Sequence, residues 1–332
     1  MTYRIGIDAR KLNDFGIGTY IENLVKHLGE IDRQNRYVLF VNSVSSNALE
    51  QLPDNFEVVV DRSPGYSARE FLGLSWKLWR LKLDLYHATH YVLPALVPCR
   101  TVVTIHDIIH LLYPEFLPNR LALIYAKRMI RHSLERGDRI ISVSKNTKID
   151  LMDYFHTDGA KIQVIYSGVS DVYRKRVPEV EAAACRRRLE LDEPYLLFVG
   201  NPKPHKNLDN VVKAFARAIQ IHEFGARLVC VGGRPGTEFK IRQRAELLGI
   251  SNRLIWLGHV DKEDLPAIYQ GATLFLYPTL YEGFGLPVIE AMASGIPVIT
   301  SNTSALKEIA EGYAHLVDPL DIEQMAAAIA LS

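Results

Sequence analysis

Short apolar runs alternate with longer amphipathic stretches from one end of the chain to the other, and no other feature narrows its fold so far. That rhythm belongs to βα units wound around a parallel sheet. In the first half it predicts strands at Tyr3–Asp8, Tyr37–Val41, Glu57–Val60, Thr101–Ile105 and Arg139–Val143. Helical spacing covers Thr19–Leu28, Phe71–Leu81 and Arg120–Arg136. In the second half the strands are Tyr195–Val199, Arg227–Val231, Arg253–Leu257, Leu274–Tyr277 and Pro297–Thr300. The helices there are Leu208–Ile221, Glu238–Leu248, Pro287–Ala293 and Ser304–Glu311. At 332 residues the chain exceeds one comfortable core, so two domains are expected. The break falls in a polar, Arg/Lys-rich stretch after Val164-Ile165-Tyr166. This sets a first domain over 1–170, a linker over 171–193 and a second domain over 194–332. Two doubly wound α/β domains would place their strand carboxyl ends at a shared crevice, where such sheets bind ligands.

Composition removes several classes of function. Thirty-nine basic residues against 38 acidic ones leave a formal charge of +1, so nothing in the balance calls for nucleic acid. Cys99, Cys185 and Cys230 lie far apart and form no Cys-x-x-Cys pair, so neither a disulfide framework nor a zinc site is indicated. Cys230, inside Leu228-Val229-Cys230-Val231, reads as a small buried hydrophobe. No apolar stretch of ~18 residues exists to span a membrane. Met1-Thr2-Tyr3-Arg4 runs directly into the first strand and leaves no room for a signal peptide. The expected location is cytoplasmic.

The densest local signal is Tyr277-Pro-Thr-Leu-Tyr-Glu-Gly-Phe-Gly-Leu-Pro-Val-Ile-Glu290. A strand ends, a loop carries Gly283 and Gly285, and Pro287 suits the first turn of a helix. The amides of Phe284, Gly285 and Leu286 would then point outward at a helix N-terminus, an anion site fitted to a diphosphate. Glu282 precedes the loop and Glu290 is placed in the first helical turn. Carboxylates accept paired hydrogen bonds from vicinal diols, which sugars and riboses both present. The plainer alternative has Glu290 complementing the helix dipole and Glu282 in solvent.

Glu282 and Glu290, with seven residues between them, resemble the Glu-x7-Glu motif of family-4-type retaining glycosyltransferases of the GT-B fold. The likeness extends to Glu290-Ala-Met-Ala-Ser-Gly-Ile-Pro-Val, Asp8-Ala-Arg, Thr104-Ile-His-Asp107, Ile141-Ser-Val-Ser144 and Phe198-Val-Gly-Asn201, in that family's order. The resemblance implies two Rossmann-like domains facing a central cleft. It implies that Glu282 contacts sugar hydroxyls and the amides of Gly283 to Leu286, while Glu290 takes the ribose.

Gly200-Asn-Pro-Lys-Pro-His-Lys-Asn207 follows a strand and opens a helix, where a lysine neutralises developing phosphate charge or is simply solvated. The resembling family places an arginine and a lysine here on the diphosphate. Lys206 matches the lysine. Asn201 and His205 occupy the arginine's usual places, and Lys203, the nearest substitute, lacks the bidentate fork. Gly16-Ile-Gly18 is not the dinucleotide fingerprint, since Ile21 stands where a third glycine belongs. A NAD-dependent dehydrogenase is therefore not expected, and the resemblance brings this loop to the donor phosphates. His106 ends a strand, and the resemblance sets it beside the transferred sugar as a catalytic group with Lys206 and Glu282. On its own a histidine there is more often a structural residue. Ser144, Asn201 and Val260 are further candidate donor contacts.

The resemblance implies transfer of a hexose from a nucleoside diphosphate sugar to a glycan or lipid-linked acceptor, with GDP-mannose preferred over a UDP-sugar. No cofactor and no metal are expected, since the chain has no Asp-x-Asp. The basic helix Arg120–Arg136 is either packed and solvated or peripheral to anionic lipid at the inner membrane face. The resembling family continues past a segment like Asp318–Ala330 with a helix that crosses back to the first domain; the sequence stops at Ser332, so either it is truncated or that closing helix is absent. Two other readings stay open: a GT-B nucleotide-sugar epimerase or hydrolase, and a module that binds nucleotide sugar without turnover.

Overall fold

The computed structural model describes residues 1–43, 49, 52–63, 68–117, 119–222 and 224–332, with backbone alone at 68–70 and 72. These residues form two compact units, Met1–Gly168 and Val169–Ser332. The first unit runs β1 (Arg4–Asp8), α1 (Phe15–Ile31), β2 (Arg36–Val41), β3 (Phe56–Val60), α2 (Ala68–Leu81), β4 (Leu85–Ala88) and β5 (Arg100–Ile105). It continues through α3 (Ile109–Leu112), α4 (Arg120–Arg136), β6 (Arg139–Ser142), α5 (Lys145–Phe155) and β7 (Ile162–Val164). Among the described residues its seven strands pair in parallel in the order β3-β2-β1-β4-β5-β6-β7.

The second unit runs α6 (Glu179–Arg188), β8 (Tyr195–Val199), α7 (Leu208–Ile221), β9 (Arg227–Val231), α8 (Phe239–Leu247), β10 (Leu254–Gly258) and α9 (Leu265–Gly271). It ends with β11 (Leu274–Tyr277), α10 (Leu286–Ala293), β12 (Val298–Ser301), α11 (Ser304–Ala310), β13 (His315–Val317) and α12 (Ile322–Ala330). Its described strands form a parallel six-stranded sheet in the order β10-β9-β8-β11-β12-β13.

The central strands are continuous apolar runs because helices cover both faces of a parallel sheet. Leu196, Leu197 and Phe198 of β8 and Phe275 and Leu276 of β11 are accordingly buried. On α7, Leu208, Val211, Val212 and Phe215 recur at three- and four-residue spacing and are buried, making one helix face a core surface. Cys230 lies in that core fully buried.

β4 escapes the sequence pattern although it is central. Its Leu85-Tyr86-His87-Ala88 is short and carries a histidine, so it never reads as an apolar run, yet Tyr86, His87 and Ala88 are all buried. The stretch 171–193, expected as a linker, lies within the second unit. There Tyr173, Ala182 and Cys185 join the core and α6 packs against α9. Its long polar face disguises a helix whose buried side is only small residues.

Candidate functional site

Strand order reverses direction between β8 and β11, so the crevice at their carboxyl ends is the second unit's topological switch point. Two loops leave from there and are tied together by backbone. Leu280 N donates to His205 O at 2.8 Å. The buried Asn207 donates its side-chain amide to Pro278 O at 2.9 Å and Pro319 O at 2.6 Å. Asn207 sits at φ +61°, a left-handed conformation asparagine tolerates better than most residues.

These ties put Lys206 Nζ 2.6 Å from Glu282 Oε1 and 2.8 Å from the Tyr277 hydroxyl. Burial works against the lysine's charge, but Glu282 and Tyr277 outweigh it and hold the ammonium above its ordinary range. Burial, followed by the charge of Glu282, pushes the Tyr277 phenol up, so it stays protonated at neutral pH. The backbone of Glu282 is itself anchored, its N–H donating to Ser304 Oγ at 3.1 Å. The expectation assigned Lys206 to phosphate and Glu282 to sugar. The structure adds that each is the other's partner, with side chains only 17% and 12% exposed.

Downstream, Gly283, Phe284 and Gly285 are buried, and Gly285 opens α10 at φ +107° with no side-chain cap. A Cβ there would meet Leu306 Cδ2 at 2.4 Å, so backbone conformation and space both require glycine. Glu290 does not occupy the first turn of α10, because the helix starts at Leu286 and Glu290 falls in the second. The dipole reading therefore loses its basis. Glu290 Oε2 instead accepts from the Tyr269 hydroxyl at 2.9 Å, and Tyr173 donates to the same carboxyl. Burial raises this carboxyl to about 7 against the opposing effect of the two phenols.

In the first unit His106 follows β5, and its Nε2 donates to Thr89 O at 2.9 Å in the loop after β4. A carbonyl accepts only, so this bond fixes the tautomer and leaves Nδ1 as the acceptor. Tyr20 packs edge-on against the ring with centroids 5.0 Å apart. Burial lowers the imidazole, while Thr89 and Asp107 oppose it. Beside it, Thr104 Oγ1 joins His87 Nε2 at 2.8 Å and the Tyr20 hydroxyl at 3.1 Å. His87 is pushed down to about 4, chiefly by burial. Nothing in the sequence pattern singled out His87 or Tyr20.

The remaining expected residues are held in several different ways. Ser144 is fully buried and caps α5 by accepting from Thr147 N at 3.0 Å, so its hydroxyl is already committed. Gly16 and Gly18 are not in a loop before a helix but inside the first turn of α1, which starts at Phe15. A Cβ on Gly18 would stand 2.2 Å from Leu12 O, so this glycine serves close backbone packing. Asn201 is half-buried and its carbonyl accepts from Lys203 N at 2.7 Å. Lys203 is exposed and lines a groove of about 610 Å³ with Asn210, Lys240 and Arg244. Val260 packs against the second unit's core. Among the described residues no three His, Cys, Asp or Glu side chains gather in a metal-binding cluster. None of the described helices is long and apolar enough to cross a membrane.

Two parallel Rossmann-like units, the second with paired Lys206 and Glu282 at its switch point, have the architecture of GT-B glycosyltransferases. The Glycosyltransferase Family 4 profile matches residues 16–172, and the Glycosyl transferases group 1 profile matches residues 183–331. O-antigen chain mannosyltransferase B of Escherichia coli is 30% identical over 77% of this chain and 66% of its own length. O-antigen chain mannosyltransferase RfbU of Salmonella typhimurium is 29% identical over 73% of this chain and 62% of its own. The chain thus spans just under two thirds of these curated relatives. Among solved structures, WaaG, a glycosyltransferase of lipopolysaccharide biosynthesis, superposes with a TM-score of 0.79 at 18% identity, covering 98% of this chain and 90% of its own. Anabaena Alr3699/HepE in complex with UDP and glucose gives 0.78 at 18% identity, over 99% and 89%. The chain belongs to the family-4-type glycosyltransferases.

Proposed function

We propose that this chain is a retaining hexosyltransferase that binds a nucleoside diphosphate sugar at the second unit's switch point and passes the hexose to a glycan or lipid-linked acceptor. The carrying observation is the Lys206–Glu282–Tyr277 constellation beside a helix that opens at Gly285 without a side-chain cap. Lys206 and the backbone of Gly283, Phe284, Gly285 and Leu286 meet the diphosphate, with Lys203, Asn201 and Val260 at its margin. Glu282 accepts from sugar hydroxyls, and Glu290 from the ribose diol. His106 is the first unit's candidate group, its Nδ1 able to accept a hydrogen bond from a sugar hydroxyl. In the transfer the bond from C1 to the phosphate oxygen breaks and the acceptor oxygen bonds to C1 on the same face. The acceptor proton passes to the departing phosphate oxygen. Lys206 stabilises charge that grows on that oxygen, so its contribution belongs to the transition state.

Mannose from GDP-mannose is the favoured donor, since relatives at about 30% identity bear the name O-antigen mannosyltransferase. Melting curves with GDP-mannose, UDP-glucose and UDP-galactose test this, because a ligand at 100 times its Kd adds ~2.7 kcal/mol of stability. A shift with GDP-mannose alone supports the reading, and a shift with UDP-sugars alone moves the donor. No shift with any of them overturns the site. Release of free sugar with no glycosylated acceptor would favour a hydrolase instead. Activity should withstand EDTA, and a complete loss restored by Mn2+ would refute metal-free transfer.

The acceptor reading extends to the inner membrane face of the cytoplasm. On α4, Arg120, Leu121, Ile124, Lys127, Arg128 and Arg131 are exposed, and α2 exposes Trp76 and Trp79, with Arg80 4.9 Å above the Trp76 ring. Basic and aromatic side chains of this kind suit anionic headgroups. Co-sedimentation with phosphatidylglycerol vesicles but not phosphatidylcholine vesicles is expected. Equal recovery in both supernatants would remove the membrane.

A further inference from the structure

Among the described residues no cation pairs with Glu290. Its side chain is half-buried, and the groups bearing on its carboxyl are two phenols from different elements. Tyr269 of α9 is fully buried and donates to Oε2 at 2.9 Å. Tyr173 lies in the short turn Asp171–Tyr173 that leads into α6, and it reaches the same carboxyl. The two rings meet edge to face with centroids 5.5 Å apart, so each phenol is braced by the other. The other elements packed on α10 are β11, β12 and α11. β12 is Val-Ile-Thr-Ser, β11 ends in Tyr277, and α11 carries the exposed Lys307 and the half-buried Glu308, while the side chains that shift Glu290 are Tyr269 and Tyr173.

We infer that Tyr173 and Tyr269 are positioning residues, a two-hydroxyl cradle that orients the Glu290 carboxylate toward the nucleotide's ribose diol and sets how readily that carboxylate takes a proton. The inference rests on the reading that Glu290 receives the ribose. An ionised carboxyl has lone pairs for about four donors. With the cradle hydroxyls in place it keeps room for both hydroxyls of a vicinal diol. A protonated carboxyl turns one oxygen into a donor and loses one of those contacts.

The sign follows from linkage. Burial lifts Glu290 to about 7, so its ionised fraction grows as pH rises through neutrality. The diol prefers the ionised form, so nucleotide affinity falls as pH drops through about 7 and levels off above it. The cradle hydroxyls favour the ionised form, and burial keeps the Tyr269 phenol protonated as a donor throughout. Removing them should move the midpoint upward, by about one pH unit for each hydroxyl bonded to charge. At alkaline pH, where the carboxyl ionises regardless, most of the affinity should return.

The test is calorimetric titration with GDP-mannose and UDP-glucose between about pH 5.5 and 9, where the diphosphate diester of either probe keeps its charge. The proteins are the parent, Tyr173→Phe, Tyr269→Phe and Glu290→Gln, with melting curves to confirm folding. The parent should lose affinity on acidification, and the two Phe variants should show displaced midpoints with recovery at high pH. Glu290→Gln should be weak and flat. If Glu290→Gln binds as the parent does, the ribose assignment fails and takes the cradle with it. If Glu290→Gln is weak but the Phe variants keep the parent midpoint, or lose affinity equally at every pH, the assignment stands and the cradle is overturned.

Discussion

Replacing Lys206 with Met keeps most of the aliphatic stem but leaves Glu282 without its cation, 2.6 Å from where the ammonium stood. Removing one partner of a buried pair costs about 3–5 kcal/mol, because the abandoned charge has lost its solvation. Here the side chains retain 17% and 12% exposure, which argues for the lower end, about 3 kcal/mol. In a unit spanning Val169–Ser332 that corresponds to a fall in Tm of roughly 6–12 °C. The double variant Lys206→Met/Glu282→Gln should recover part of the loss, since no charge remains stranded, and the cycle should return a coupling of about 2 kcal/mol. Scanning calorimetry supplies the numbers, read on the transition that nucleotide raises. Since the lysine is held above its ordinary range, its contribution is complete below that range and declines only at strongly alkaline pH. The coupling should thus be flat between about pH 6 and pH 9. Turnover of Lys206→Met should drop about a hundredfold or more, with donor affinity reduced far less. A coupling below about 0.5 kcal/mol would show an ordinary exposed pair, and unchanged turnover would remove Lys206 from the chemistry.

Three other outcomes follow from the same geometry. Glu290→Ala should weaken binding of free GDP or UDP, while Glu282→Ala should spare it and cut sugar transfer, as isothermal titration beside initial rates would show; equal binding by both would refute the division of roles. Gly285→Ala, forced to hold φ +107° with a methyl against Leu306, should cost about 2–4 kcal/mol in urea unfolding, and a loss under about 0.5 kcal/mol would mean that the loop has other conformations at hand. His106→Ala should lose roughly a hundredfold in transfer and about 1 kcal/mol of stability from its bond to Thr89, with nucleotide affinity kept; full activity in a folded variant would make the histidine structural.

The second unit was the more legible because its strands are chemically uniform. Tyr195–Val199, Arg227–Val231 and Leu274–Tyr277 read from the sequence with the same ends that they have in the structure, as does the helix Leu208–Ile221. Apolar residues of a central parallel strand have no polar alternative, and a helix with one wide apolar stripe announces its period. β4 and α6 stayed hidden for opposite reasons. A four-residue strand with a histidine at its centre gives no run to count, and ten residues with charges on most faces bury only Ala182 and Cys185.

The site divides along the same physical line. Glu282, Lys206 and Gly285 lie on loops at strand ends, where local residue types announce an anion site, and the resemblance assigns each of them a role. What the residues could not disclose is who holds whom. Lys206 meets Glu282 across 76 positions of sequence, an encounter created by the order of strands in the sheet and not by any spacing along the chain. Glu290 reads from sequence as a carboxylate near a helix start, with dipole and diol as its only visible partners. Its real surroundings are Tyr269, on a helix with no motif, and Tyr173, inside a stretch that reads as linker. A lone tyrosine carries no signal of its own, because the same residue fills a core or bonds a carboxylate depending on what folds against it. The tuning of this carboxyl is therefore a tertiary property. It could be seen only after α9 and the Asp171–Tyr173 turn were found packed on α10.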